Sequence, residues 1–165
     1  VMLHANFNIL KKFVEIEKAS LQYGWNDEPK STPAIEAGMK YLDWECGLRY
    51  GGDDGVKPND PEYGNFTSQA LSAQEVKELY LWWTVDRPVR ADAYDDTYDE
   101  EDENGFAKAL GDGRSIMEVM AERTPEQKEA SQRAYNKEQV ILGQYHDEDT
   151  DMLIRLMKIR KTMWS

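Results

Sequence analysis

One cysteine, Cys46, and two histidines, His4 and His146, are all that 165 residues offer of the side chains that bind transition metals best. A lone thiol can neither close an internal disulfide nor supply the several thiolates of a structural zinc site. A reducing compartment is therefore expected, the cytoplasm first among them. No apolar run approaches the roughly 20 residues that cross a bilayer, and VMLHANF is not a basic leader ahead of a long apolar segment, so no membrane contact is expected. Alternating β-branched runs with hairpin turns are missing, as are internal repeats of roughly 20–50 residues. Also missing are the Gly-x-Ser-x-Gly elbow and the phosphate-cradling Gly-x-x-x-x-Gly-Lys, which leaves nucleophilic catalysis little to stand on. Cys46 falls on an apolar helix face and reads as core.

Basic residues are short as well: 20 Lys and Arg face 32 Asp and Glu, a formal charge of −12. Eight of the acids crowd into ADAYDDTYDEEDEN (91–104), from Asp92 to Glu103, leaving 24 acids against 20 bases elsewhere. Such a chain is repelled by phosphate backbones, so direct nucleic-acid binding is not expected, whereas a basic protein partner fits. A run of like charge that buries no apolar area stays solvated. Residues 87–113 are accordingly expected to form one long, acidic, mobile loop. Glu100, Asp102, Asn104 and Gly105 match the first, third, fifth and sixth positions of a calcium loop, but the twelfth, which requires a bidentate Glu, is Gly111. No metal and no cofactor is expected.

What the chain does have is helical periodicity. Leu3, Phe7, Leu10, Phe13, Val14 and Ile16 recur at three- and four-residue intervals and predict a helix over about 3–21. Thr32-Pro33 reads as a cap followed by a helix-starting Pro, opening a helix over 33–49 with Met39, Leu42 and Cys46 on its apolar face. GGDDGVKPNDPEYGN is loop. Ser72 and Glu75 form a capping-box pattern that opens a helix over 73–86, lined by Val76, Leu79, Tyr80 and Trp83 and stopped by Pro88. Similar boxes at Ser115-x-x-Glu118 and Thr124-x-x-Gln127 open a short helix and one over 125–145. Asp147–Asp151 is read as an interruption before a last helix over 150–163, whose acids precede its bases as the macrodipole favours. The fold expected is an all-α, single-domain bundle of about five main helices around Phe7, Leu10, Phe13, Leu42, Leu79, Leu153 and Leu156.

Three groups of residues invite a functional reading. Glu75-x-x-Glu78 and Glu148-x-x-Asp151 each set two carboxylates one turn apart, as all-α nucleotide pyrophosphohydrolases do to hold magnesium, although capping and solvation explain both with less. The His146-Asp147 pair resembles that of helical phosphohydrolases, but His4 lies in the wrong place to complete their ligand set. In ELYLWWTVDRPVR (78–90), neighbouring Trp82 and Trp83 point about 100° apart and cannot be equally deep. Tyr80 and Trp82, with Arg87 and Arg90, are therefore candidates for partner binding, as are Asp99, Glu100, Glu101 and Asp102 of the acidic run.

MLHANFNILKKFVEIEKA, ELYLWWTVDRPVR and EDTDMLIRLMKIRKTMW together resemble a group of small tailed-bacteriophage proteins, over about half the chain. These share an aromatic helix ending in Arg-Pro, a polar stretch and an Arg-Leu-rich last helix closing on Trp. The resemblance implies a location in the infected bacterial host or in the virion, and transfers no catalytic residue. The leading expectation is a non-enzymatic phage accessory protein acting by protein–protein contact on a host or defence factor or within the virion. A divalent-metal-dependent nucleotide hydrolase using Glu75, Glu78, Glu148 and Asp151 is the second reading, and an acidic mimic of DNA the third.

Overall fold

The computed structural model describes residues 2–25, 29–94, 107–108 and 110–163. Their regular structure is helical, as expected: no strand occurs among them, only an isolated antiparallel bridge between Arg49 and Phe66. No helix among the described residues is long and apolar enough to cross a membrane. Contacts divide the chain into two compact units, one of Val1–Val89 with Asp149–Ser165 and the other of Arg90–Glu148.

In the first unit, α1 (Met2–Lys12) passes through a π-helical turn (Phe13–Lys18) into α2 (Ala19–Trp25) without a break. The π-turn admits one extra residue per hydrogen-bonded ring, so Phe13 and Val14 both face inward although they are adjacent. Ala19 N–H reaches back five residues to the Val14 carbonyl. Helix α3 (Ala34–Cys46) crosses this turn at Gly38, where a Cβ would stand 2.2 Å from the Val14 carbonyl oxygen. Only a residue without a side chain lets the backbones approach so closely. Thr32 does not cap α3: Pro33 occupies the N-cap position with no side-chain bond, and the Thr32 carbonyl accepts the Tyr23 hydroxyl instead.

Helix α4 (Ser68–Leu81) starts a turn before the Ser72 box, because Thr67 Oγ1 accepts the Ala70 N–H at 3.0 Å. The reason is packing: Ala70 and Ala73 are buried and carry the stripe of Val76 and Leu79 back by two more positions. A second π-turn (Trp82–Asp86) and a 3₁₀ turn (Arg87–Val89) follow. The unit closes around Phe7, Leu10, Val14, Leu42, Leu79 and Leu156, all at or below 2% exposure.

In the second unit, α5 (Ile116–Glu122) begins at the expected box, with Glu118 N–H on Ser115 Oγ at 3.3 Å and Ser115 N–H on the Glu118 carboxylate at 2.9 Å. Helix α6 (Pro125–Met163) likewise opens on reciprocal Thr124–Gln127 bonds and contributes to both units. The two helices expected over 125–145 and 150–163 are thus one helix of 39 residues. Asp147–Asp151 contains no Gly or Pro, and two of its acids are neutralised from elsewhere: Glu148 by Arg90 at 2.7 Å and Asp149 by both arms of Arg87 at 3.0 and 2.8 Å. Of the segment expected to be a loop, 87–89 is a 3₁₀ turn and Ala107, Lys108, Leu110 and Gly111 are helical, while 95–106 lie outside the described residues.

Candidate functional site

Three of the four carboxylates of the metal-site reading, Glu75, Glu78 and Glu148, are engaged by protein cations. Arg155 grips Glu75 through Nε–Oε1 at 2.7 Å and Nη2–Oε2 at 2.8 Å, and the same Nη2 reaches Glu78 at 2.5 Å. This fork holds two carboxylates one turn apart on α4, where the hydrolase reading would place a divalent cation. Glu148 belongs to the other unit and is paired with Arg90, and Asp151 is exposed. Among the described residues no group of three or more His, Cys, Asp or Glu is arranged to hold a metal ion.

Hydrogen bonds from Arg155 draw the Glu75 carboxyl below its ordinary value of 4.5, against the opposing effect of partial burial and with help from the Lys158 charge. The unfolded chain takes up a proton at Glu75 before the folded one, so this stabilisation is present above about pH 4.5 and is lost as pH falls through the lower folded value. Urea unfolding midpoints measured between pH 7 and pH 3 should therefore fall more steeply in the wild type than in Glu75→Gln. Parallel slopes would show that the Arg155 fork contributes nothing.

The aromatic segment is arranged differently from the simple helical reading. Trp82 is 5% exposed and Tyr80 3%, while Trp83 is half-buried. The wider π-turn rotates the helix face and puts Trp82, not Trp83, deepest. Tyr80 donates to Glu15 Oε1 at 2.8 Å, and burial with that carboxylate pushes its phenol above the usual range. Trp83 stacks on Phe7 at 4.9 Å, meets His4 edge-on and lies under the Arg87 guanidinium at 5.0 Å. Arg87 is at the same time held by Asp149, and Arg90 covers Tyr145, whose hydroxyl donates to the Ala91 carbonyl. Of the residues singled out for partner binding, Tyr80 and Trp82 line the core, Arg87 and Arg90 fasten α6 residues, and Asp99, Glu100, Glu101 and Asp102 fall outside the described residues.

Sequence reasoning missed two features. The first is an open cavity of about 420 Å³ between the first π-turn, α3 and α4. Lys18 and Glu45 meet in it, 27 positions apart in sequence, with Nζ at 2.8 Å from Oε1 and 2.7 Å from Oε2, and with side-chain exposures of only 13% and 5%. Gln69 of α4 donates to the same Oε1 at 2.9 Å, and the Lys18 ammonium also lies over the Phe13 and Tyr41 rings at 5.0 and 5.2 Å. A carboxylate in register with Ala37 and Tyr41, one turn on along a buried stripe, is the only sequence signal for this pair.

The second is the surface of Arg90–Glu148. Among the described residues of this unit Ala93 alone is buried. Ile116, Met117 and Met120 of α5 are 60%, 82% and 46% exposed and, at intervals of three and four, share one face. Arg114 and Glu122 pair beside them. The unit holds 16 acids against 7 bases, or −9 of the −12 carried by the whole chain. No family model, curated protein or solved structure matches this chain.

Proposed function

We propose that the protein works by contact with a basic protein, received on the Ile116–Met117–Met120 face of α5. The observation that carries this reading is the coincidence, in one unit, of an exposed apolar face with three quarters of the net charge. Apolar area of this kind is withdrawn from water when a partner covers it, and methionine adapts its shape to the surface it meets. The unit's net negative charge favours a partner of opposite sign and speeds its approach. In the setting that the bacteriophage resemblance implies, this is an accessory protein whose partner is a host or defence factor or a component of the virion. A hydrolase based on Glu75 and Glu78 would first have to displace Arg155 from both carboxylates.

A labelled amphipathic Lys/Leu helix of roughly 18 residues, five turns long, is a suitable probe. Its fluorescence anisotropy should report binding, and a scrambled peptide of the same charge but no apolar face should bind more weakly. Met117→Glu provides the decisive contrast, because it adds an attractive charge while removing apolar contact. Binding should weaken by about tenfold or more, the usual order for losing a central contact. Equal or tighter binding would reduce the interaction to charge alone and overturn the proposed docking face.

A further inference from the structure

We propose that the cavity between the first π-turn, α3 and α4 binds a small neutral molecule carrying neighbouring hydroxyl groups, with the chemistry of a monosaccharide or of a nucleoside's ribose. It lies in the first unit and does not depend on the contact function read from the second.

Its size, about 420 Å³, falls in the range of small-ligand sites. Its electrostatics select against charge. Lys18 and Glu45 neutralise each other at hydrogen-bond distance, so an anion drawn to the ammonium is repelled by the carboxylate beside it, and a cation meets the reverse.

The remaining polar groups are uncharged. Ser68 and Ser72, one turn apart on α4, line the cavity, and neither hydroxyl has a hydrogen-bond partner among the described residues. Each can donate and accept, as a ligand hydroxyl does. Gln69 spends its amide nitrogen on Glu45, which fixes the side chain and leaves its carbonyl oxygen as a further acceptor. Phe13 and Val76, buried except for an edge, supply an apolar floor against which the C–H face of a sugar ring can lie.

The backbone gives a second, independent indication. Phe13 and Lys18 are the first and last residues of the π-turn, and both line the cavity. π-Turns inside α-helices are rare and concentrate at functional sites. Here the turn brings an apolar residue and the ammonium to one wall.

The test is a heteronuclear NMR titration of the full chain with glucose, galactose and uridine, each compared with sodium acetate and tetramethylammonium chloride. At least one neutral probe should shift the amides of 68–73 and 13–18 with a half-saturation of roughly 1–100 mM, a weak but specific affinity. The Ser68→Ala/Ser72→Ala variant removes no hydrogen bond within the described protein, so it should keep its melting temperature while half-saturation rises about tenfold, the order expected for losing two neutral hydrogen bonds. No saturable shift with any of the three neutral probes, equal binding by the double variant, or stronger binding of acetate or tetramethylammonium would each overturn the proposal.

Discussion

Replacing Gly38 with Ala is expected to destabilise the protein by about 3 kcal/mol or more, the upper end of what overpacking a core costs. The added methyl would stand 2.2 Å from the Val14 carbonyl oxygen and 3.1 Å from its carbon. Both are main-chain atoms, and the oxygen is already bound to the Ala19 N–H in the π-turn, so no flexible side chain can swing away. Relief requires α3 to withdraw from the turn, which would loosen Leu42 from the core cluster it shares with Phe7, Leu10 and Val14. Gly24, in α2, is the matching control: a Cβ added there would meet nothing within 4 Å. Gly24→Ala should be neutral, or stabilising by up to about 1 kcal/mol through helix propensity. Urea denaturation of both variants measures the contrast, and equal midpoints would mean that α3 does not pack on the π-turn at Gly38.

The second large effect concerns Glu45. Glu45→Ala would strand the Lys18 ammonium, 13% exposed, with two aromatic rings and no counter-charge. Removing one member of a buried pair typically costs about 3–5 kcal/mol, because the other remains desolvated and unpaired. Gln69 would lose its acceptor as well. The double change Lys18→Met/Glu45→Leu should recover most of the loss, since apolar side chains of similar size often replace a buried pair at little cost. Thermal or urea unfolding of the two single variants and the double variant closes the cycle. If Glu45→Ala proves nearly neutral, water in the cavity solvates Lys18 well enough that the pair contributes little.

Much of the helical framework was legible in the sequence because its signals are local. The stripe of Leu3, Phe7, Leu10 and Val14 announces α1, and the boxes at Ser115 and Thr124 mark where α5 and α6 begin. The start of α4 was not legible at Ser72 because Ala70 and Ala73 bury little area each and barely register as an apolar pattern, yet they seat the helix. The continuity of α6 across Asp147–Asp151 was hidden for another reason. The partners that neutralise Glu148 and Asp149 lie some 60 residues earlier, at Arg90 and Arg87.

The π-turns obey no sequence rule as simple as a three- or four-residue spacing. They explain why Phe13 and Val14 are both buried and why Trp82 rather than Trp83 reaches the core. The cavity was illegible because it is assembled from three segments, with Lys18, Glu45 and Gln69 each unremarked in its own helix. On α5 the sequence did not show the exposure of Ile116, Met117 and Met120, which depends on tertiary packing.

The measurement that tests the contact function most directly is a residue-resolved NMR map of the amphipathic Lys/Leu peptide binding to the wild type and to Met117→Glu. Salt should be varied from about 0.05 M to about 0.5 M, which shortens the range of the charge attraction several-fold. The proposed function predicts shifts centred on Ile116–Glu122, weakened but still centred there at high salt, and lost in Met117→Glu. Shifts spread evenly over residues 90–148, abolished by salt and indifferent to Met117→Glu, would contradict it.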